Sequence, residues 1–187
     1  MRKWLVISAM LAACLSFGLA PALAAGITGS KHDLSNAGYG STQICIFCHT
    51  PHKAAASGYG PLWNHATSSA TYQLYVLTNG HTVNQPGPAS ASCLSCHDGT
   101  VAIDSYGGAT GTNLMTGDAL IGTDLRDDHP IGIAYTVGSS YKAPTTMKLF
   151  NTRVECASCH DVHDNTFSPF LRMSNTGSAL CLDCHNK

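Results

Sequence analysis

The chain has 187 residues, 44% of them hydrophobic and 11% charged, with a formal net charge of −1 at pH 7. A nucleic-acid-binding surface needs a surplus of Lys and Arg, so this balance argues against such a partner. Against that sparse charge stand nine cysteines and ten histidines, and these carry most of the reading.

The N-terminal stretch "MRKWLVISAMLAACLSFGLAPALAA" has the form of a secretory signal, with Arg2 and Lys3 ahead of an apolar run from Trp4 to Ala20. Ala22-Leu23-Ala24 offers the small-residue cleavage site, so residues 1–24 are expected to be a signal peptide and 25–187 the mature domain. Two alternatives stay open: retention of the segment as an anchor, or lipoprotein processing at the "LAAC" that ends on Cys14. No later run approaches the roughly 18 apolar residues of a membrane span, which predicts a mature chain without one. Loss of Arg2 and Lys3 leaves eight Lys and Arg against eleven Asp and Glu. The protein is expected to be exported, either extracellular or at the cell surface, with the periplasm as the alternative.

Cleavage after Ala24 also discards Cys14, and the other eight cysteines form four copies of one pattern. These are Cys45-Cys48-His49, Cys93-Cys96-His97, Cys156-Cys159-His160 and Cys181-Cys184-His185, each a CxxCH. CxxCH is the attachment pattern of c-type haem: two thiols add across the vinyl groups and the histidine ligates the iron. Zinc sites and redox dithiols also use CxxC, and disulfides use cysteine pairs, but none requires the following histidine. At the histidine frequency of this chain, four such successions by chance have odds of about one in 10⁵. Four covalently bound haem c groups are therefore expected. They leave roughly 40 residues of mature chain for each haem, too few to build a large polypeptide core, so the porphyrins must supply the apolar interior.

Between the motifs, the best helical pattern runs from Ala66 to Leu77. "HTVNQPGPASAS" (81–92) and "SYGGATGTNL" (105–114) read as loops, and "IGIAYTV" (131–137) is the main strand candidate. Each CxxCH is expected to begin or end a turn of helix. The predicted fold class is thus a mostly irregular chain with short α-helices and little β, a multihaem cytochrome fold built around its haems.

Two of the motifs extend to "CIFCHTPH" and "CASCHDVH", with His52 and His163 each three residues beyond a proximal histidine. On a helix the two imidazoles would project from one face, about 4.5 Å apart along the axis. Even extended, three residues span only about 10 Å, too short to pass round a porphyrin rim. His52 therefore cannot reach the far side of the haem at His49, but it can ligate a neighbouring one, and the same holds for His163 and His160. This exposes an internal repeat: His32, "CIFCHTPH", "CLSCH" in about 25–110, then His129, "CASCHDVH", "CLDCH" in about 111–187. Each unit holds four histidines for two irons, which makes His32, His52, His129 and His163 the candidate distal ligands to the proximal His49, His97, His160 and His185. His65 and His81 are left over in the first unit, and Met115, Met147 and Met173 are competing axial ligands. Asp98, Asp161 and Asp183 are candidates to orient a proximal imidazole through its second nitrogen, with solvated loop carboxylates as the alternative. Trp63, Tyr72 and Tyr75 are expected to pack against porphyrin.

The segments "SKHDLS", "CIFCHTPH", "PLWN", "CLSCHDGTVA", "DDHPIG", "CASCHDVHD" and "LRMSNTGSALCLDCHNK" together resemble the doubled-CxxCH multihaem c-type cytochromes. In plan they are similar to tetrahaem cytochromes that polymerise into extracellular filaments. The resemblance implies bis-histidine haems, a continuous haem chain and long-range electron transport. It also implies homopolymeric partners, together with redox proteins or extracellular electron acceptors. In such filaments a subunit can supply a distal histidine to its neighbour, and His32, on its Gly/Ser-rich arm, is the candidate donor. Other relatives are discrete periplasmic electron shuttles. On either count the expectation is an electron-transfer protein rather than an enzyme. The competing class is a multihaem reductase with one open haem, against which the surplus histidines argue. A membrane-anchored quinol-oxidising subunit would require the N-terminal segment to be retained.

Overall fold

A computed structural model describes residues 26–54, 58–78 and 83–187. The expected signal segment with Cys14, and His81, lie outside the described residues. The described chain is mostly turns and irregular backbone, as the composition predicts, with three short α-helices and one small sheet. Helix α1 is Pro88–His97, α2 is Cys156–Cys159 and α3 is Ala179–Leu182. Single 3₁₀ turns lie at Leu34–Asn36, Gly117–Ala119 and Thr176–Ser178. The sheet is β1 (Ile133–Ala134) paired antiparallel with β2 (Arg153–Val154), with Ile133 opposite Val154. Among the described residues no helix is long and apolar enough to cross a membrane.

Two local expectations are overturned. Ala66 to Leu77 is extended rather than helical, because tertiary partners take its backbone groups. Ala66 N donates to Ser105 O at 2.8 Å, Gln73 N to Thr123 O at 2.9 Å, and Gln73 O accepts from Leu125 N at 2.9 Å. Gln85 Oε1 accepts from Tyr72 N at 2.9 Å. Conversely, the second half of the expected loop 81–92 begins α1. Gly87 is its N-cap and Pro88 occupies the first turn, where the missing N–H has no intrahelical partner to lose. The helix ends at Asp98, followed by Gly99 at φ 73°. That left-handed conformation is what calls for glycine, the nearest atom to a Cβ there being the movable Leu120 Cδ1 at 2.6 Å. Of the strand expected over 131–137, only Ile133–Ala134 enters the sheet.

The apolar interior is thin. Tyr72, Leu94 and Leu125 form its centre, with Ala70, Leu74 and Ile131 packed against them. Outside it, Leu62, Leu114, Leu120, Ile121, Val137 and Phe167 are exposed large hydrophobics. Buried carboxylates tie down loops in place of a core. Asp98 accepts from Tyr72 Oη at 2.7 Å, Thr100 N at 2.7 Å and Thr100 Oγ1 at 2.8 Å. Asp183 gathers the amides of Thr145, Thr146 and Met147 and the Thr145 hydroxyl. Burial raises the Asp183 carboxyl, but these donors outweigh it and hold it at about 2.

Two outcomes are expected. Tyr72→Phe orphans one buried acceptor of Asp98 and should cost roughly 1–3 kcal/mol in chemical denaturation. Burial, with Asp98 adding to it, pushes the Tyr72 hydroxyl up to about 12 from an unfolded value of 10.0. This stabilising contribution is complete below that unfolded value and is lost as pH rises from there to about 12. Secondly, a chain whose eight motif cysteines are replaced by serine should show no cooperative unfolding transition by circular dichroism, because too little apolar surface is buried to offset chain entropy.

Candidate functional site

None of the eight motif cysteines forms a disulfide, and each CxxCH closes one helical turn. His49 N donates to Cys45 O at 2.8 Å, His160 N to Cys156 O at 3.1 Å and His185 N to Cys181 O at 3.0 Å, while Cys93 to His97 completes α1. Burial pushes the Cys48 thiol up to about 11, Cys96 to about 12 and Cys159 to about 11. Among the described residues no three His, Cys, Asp or Glu side chains converge to hold a metal ion, whereas a structural zinc site uses four.

The proximal histidines are oriented through backbone carbonyls. His49 Nδ1 lies 2.7 Å from Pro61 O, His97 Nδ1 2.7 Å from Ala119 O and His160 Nδ1 2.9 Å from Pro169 O. A carbonyl only accepts, so each Nδ1 carries the proton and each Nε2 presents a lone pair. The Asp carboxylates expected in this role are elsewhere: Asp98 and Asp183 are buried in the loop clusters above. Asp161 is ion-paired with Arg172 at 2.7 Å and lies 3.4 Å from Nδ1 of the distal candidate His163.

The carbonyls belong to a device that occurs twice. At the first motif Thr50 N donates to Leu62 O, Asn64 N to Cys48 O, each at 2.9 Å, and Asn64 Nδ2 reaches Ile46 O. At the third motif Asp161 N donates to Phe170 O at 2.8 Å, Arg172 N to Cys159 O at 2.9 Å, and Arg172 Nε to Ala157 O at 2.9 Å. The two clamps are Pro61-Leu62-Trp63-Asn64 and Pro169-Phe170-Leu171-Arg172, with Leu62 at φ 54° and Phe170 at φ 59°. Only the alignment of "PLWN" with "PFLR", after the two CxxCHxxH segments, would have revealed the repeat in sequence. At the fourth motif the frame is different: Tyr141 bridges His185, and Lys142 N and Tyr135 Oη donate to Cys184 O at 2.9 and 3.0 Å.

Three of the four distal candidates lie opposite a proximal ring of the same chain. Ring centroids are 6.0 Å apart for His32 and His97, 6.1 Å for His163 and His49, and 6.4 Å for His129 and His185. Two metal–imidazole bonds of about 2 Å each, added to the ring radii, give a separation of about 6 Å. Burial, reinforced by His97, His160 and His163, lowers His32 to about 4, so it stays a neutral imidazole. Its Nδ1 is buried without a hydrogen-bond partner, an arrangement that costs free energy unless a group beyond the polypeptide compensates. The exposed Leu62, and likewise Leu120, Ile121 and Phe167, lie within three residues of the carbonyls that hold proximal rings. Ligand pairs, paired thiols and apolar flanks fit a covalently attached haem.

The remaining histidines separate clearly. His65 is fully buried, with Nδ1 2.8 Å from Ala66 O and Nε2 3.0 Å from Ala102 O. Backbone carbonyls at both ring nitrogens, and Cys96 Sγ 3.5 Å from Nε2, hold the ring within the polypeptide. His52 is exposed and faces no proximal ring among the described residues, and no described imidazole lies opposite His160. His32, the expected donor to a neighbouring copy, faces His97 of its own chain. Met147 is buried in the interior, while Met115 and Met173 are half-buried. Trp63 is buried with its ring edge-on to His49 at 6.4 Å, and Tyr75 is exposed.

The family described as the doubled CXXCH motif matches residues 149–187, the segment with the third and fourth motifs. The match supports a multihaem c-type cytochrome whose CXXCH motifs hold haem covalently. Among curated proteins, none matches the chain. In the haem-loaded protein, His163→Ala should convert one low-spin iron to a high-spin, ligand-accessible one. His65→Asn should leave the low-spin spectrum unchanged. Visible absorption with and without added imidazole distinguishes them.

Proposed function

We propose that the protein transfers electrons through four c-type haems, attached at Cys45/Cys48, Cys93/Cys96, Cys156/Cys159 and Cys181/Cys184. The carrying observation is the set of three imidazole pairs at 6.0–6.4 Å, each joining a proximal histidine to a distal one from a different motif or segment. When bound, each haem supplies an iron that alternates between ferric and ferrous. The polypeptide would offer the iron Nε2 of His49, His97 and His160 and the His185 imidazole, with a second imidazole from His163, His32 or His129. At the three paired sites a second imidazole would leave no position for a substrate, which favours a carrier over an enzyme.

The protein is exported, and its partners are redox proteins or extracellular electron acceptors. Assembly into an extracellular filament is supported by the pairing of His52 and His160: one is an exposed imidazole and the other a proximal one, and neither has an opposite ring among the described residues. A His52 supplied by one copy to the His160 site of the next would close the set and join subunits. This moves the donor role from His32 to His52. The same unmatched His160 also favours a second reading, a reductase with one open haem.

Cryo-electron microscopy of the natively secreted protein, with a visible spectrum of the same sample, tests both. Filaments with every iron low-spin are expected, and His52→Ala should yield discrete particles with one high-spin haem per chain. Discrete particles of the unaltered protein with four low-spin irons would make it a soluble shuttle. A high-spin haem in the unaltered protein would support the reductase.

A further inference from the structure

The second and third attachment sites meet through a buried polar cluster that neither clamp contains. Helix α1, which carries Cys93 and Cys96, packs against α2, which carries Cys156 and Cys159. At their contact Glu155, 2% exposed, lies against Ser90, 0% exposed. The Glu155 carboxylate accepts from Gly87 N at 3.2 and 3.1 Å and from Ser90 Oγ at 2.5 Å, with Arg153 Nε at 3.7 Å. Ser90 Oγ in turn accepts from Cys156 N at 2.8 Å, and Glu155 N donates to Ser158 Oγ at 2.9 Å. A Cβ on Gly87 would stand 2.6 Å from Glu155 Oε1, so the carboxylate is pressed onto the first turn of α1. There it accepts the amide of the N-cap residue Gly87 and meets the positive end of the helix dipole.

A buried carboxylate is expensive unless well bonded, and here the bonds from Gly87 N and Ser90 Oγ to Glu155, and from Cys156 N to Ser90 Oγ, run between the two motifs or their flanks. Binding either group alone does not call for such a cluster.

We propose that Glu155 and Ser90 are positioning residues that latch the second attachment site to the third and fix the spacing of the two groups held there. The inference rests on the haem-bearing reading above. The latch acts on an electron passing from one iron, which is oxidised, to the other, which is reduced, by setting the distance it crosses.

The test uses the full haem-loaded chain, oxidised, with intact mass to count haems and Soret circular dichroism to report haem–haem coupling. Ser90→Ala removes one hydroxyl from a small buried side chain. The expected result is an undiminished haem count with an attenuated bisignate Soret signal, and a larger loss in Glu155→Ala. Glu155→Gln, which keeps an acceptor for Gly87 N and a partner for Ser90, should restore the signal. A merely structural cluster would lower the melting temperature in all three and leave the signal at the wild-type value in each; that result overturns the proposal. Should Glu155→Ala fail to load haem, Ser90→Ala against Glu155→Gln decides. A wild-type mass without haem at the second and third motifs would sink the underlying reading instead.

Discussion

The structure depends on a bond made at three of the four motifs, between the proximal imidazole and a backbone carbonyl that lies outside the motif. A CxxCH turn is only one helical turn long, and an isolated turn is not stable in water. What holds it is chain arriving from elsewhere: Pro61 O on His49, Ala119 O on His97, Pro169 O on His160. Each bond fixes the tautomer, the ring plane and the path of the clamping segment together. The irregular fold is what remains when a chain is routed to meet these points rather than to extend helices or sheets.

That routing explains the interior. The apolar cluster around Tyr72, Leu94 and Leu125 is small, and buried carboxylates organise the loops around it. Asp98, Asp183 and Glu155 each collect several donors. Such centres make geometry specific, but they stabilise little beyond the cost of burying them. Large apolar side chains stay exposed beside the proximal rings, where a macrocycle would cover them.

Much of the chemistry was legible in the sequence because covalent attachment demands fixed spacing, and the three-residue offset of His163 from His160 excludes a shared iron by reach alone. Elements whose shape comes from distant partners were not legible. Ala66 to Leu77 has a helical pattern, but Ser105, Thr123 and Gln85 claim its amides and hold it extended. The Pro-Gly-Pro before α1 reads as a turn, yet its last residue is the ideal first residue of a helix. The clamps were invisible for a deeper reason: most of their bonds join backbone to backbone, so "PLWN" and "PFLR" need share little beyond proline. Asp98 and Asp183 next to motifs suggested contact with the rings, when their carboxylates point into loop amides.

A consequence follows from the carbonyls. No side-chain replacement removes a backbone oxygen, so the proximal face of each site is closed to gradual adjustment and equal in kind at His49, His97 and His160. The distal faces are unequal. His163 stands beside the Asp161 carboxylate, His129 Nδ1 lies 3.1 Å from Pro130 O, and His32 meets the Phe170 ring at 4.6 Å with no partner for Nδ1. A carboxylate neighbour makes an imidazole the stronger electron donor and an apolar one the weaker. The sites at His49 and His97, alike on the proximal side, are thereby graded in donor strength by His163 and His32 from the distal side alone.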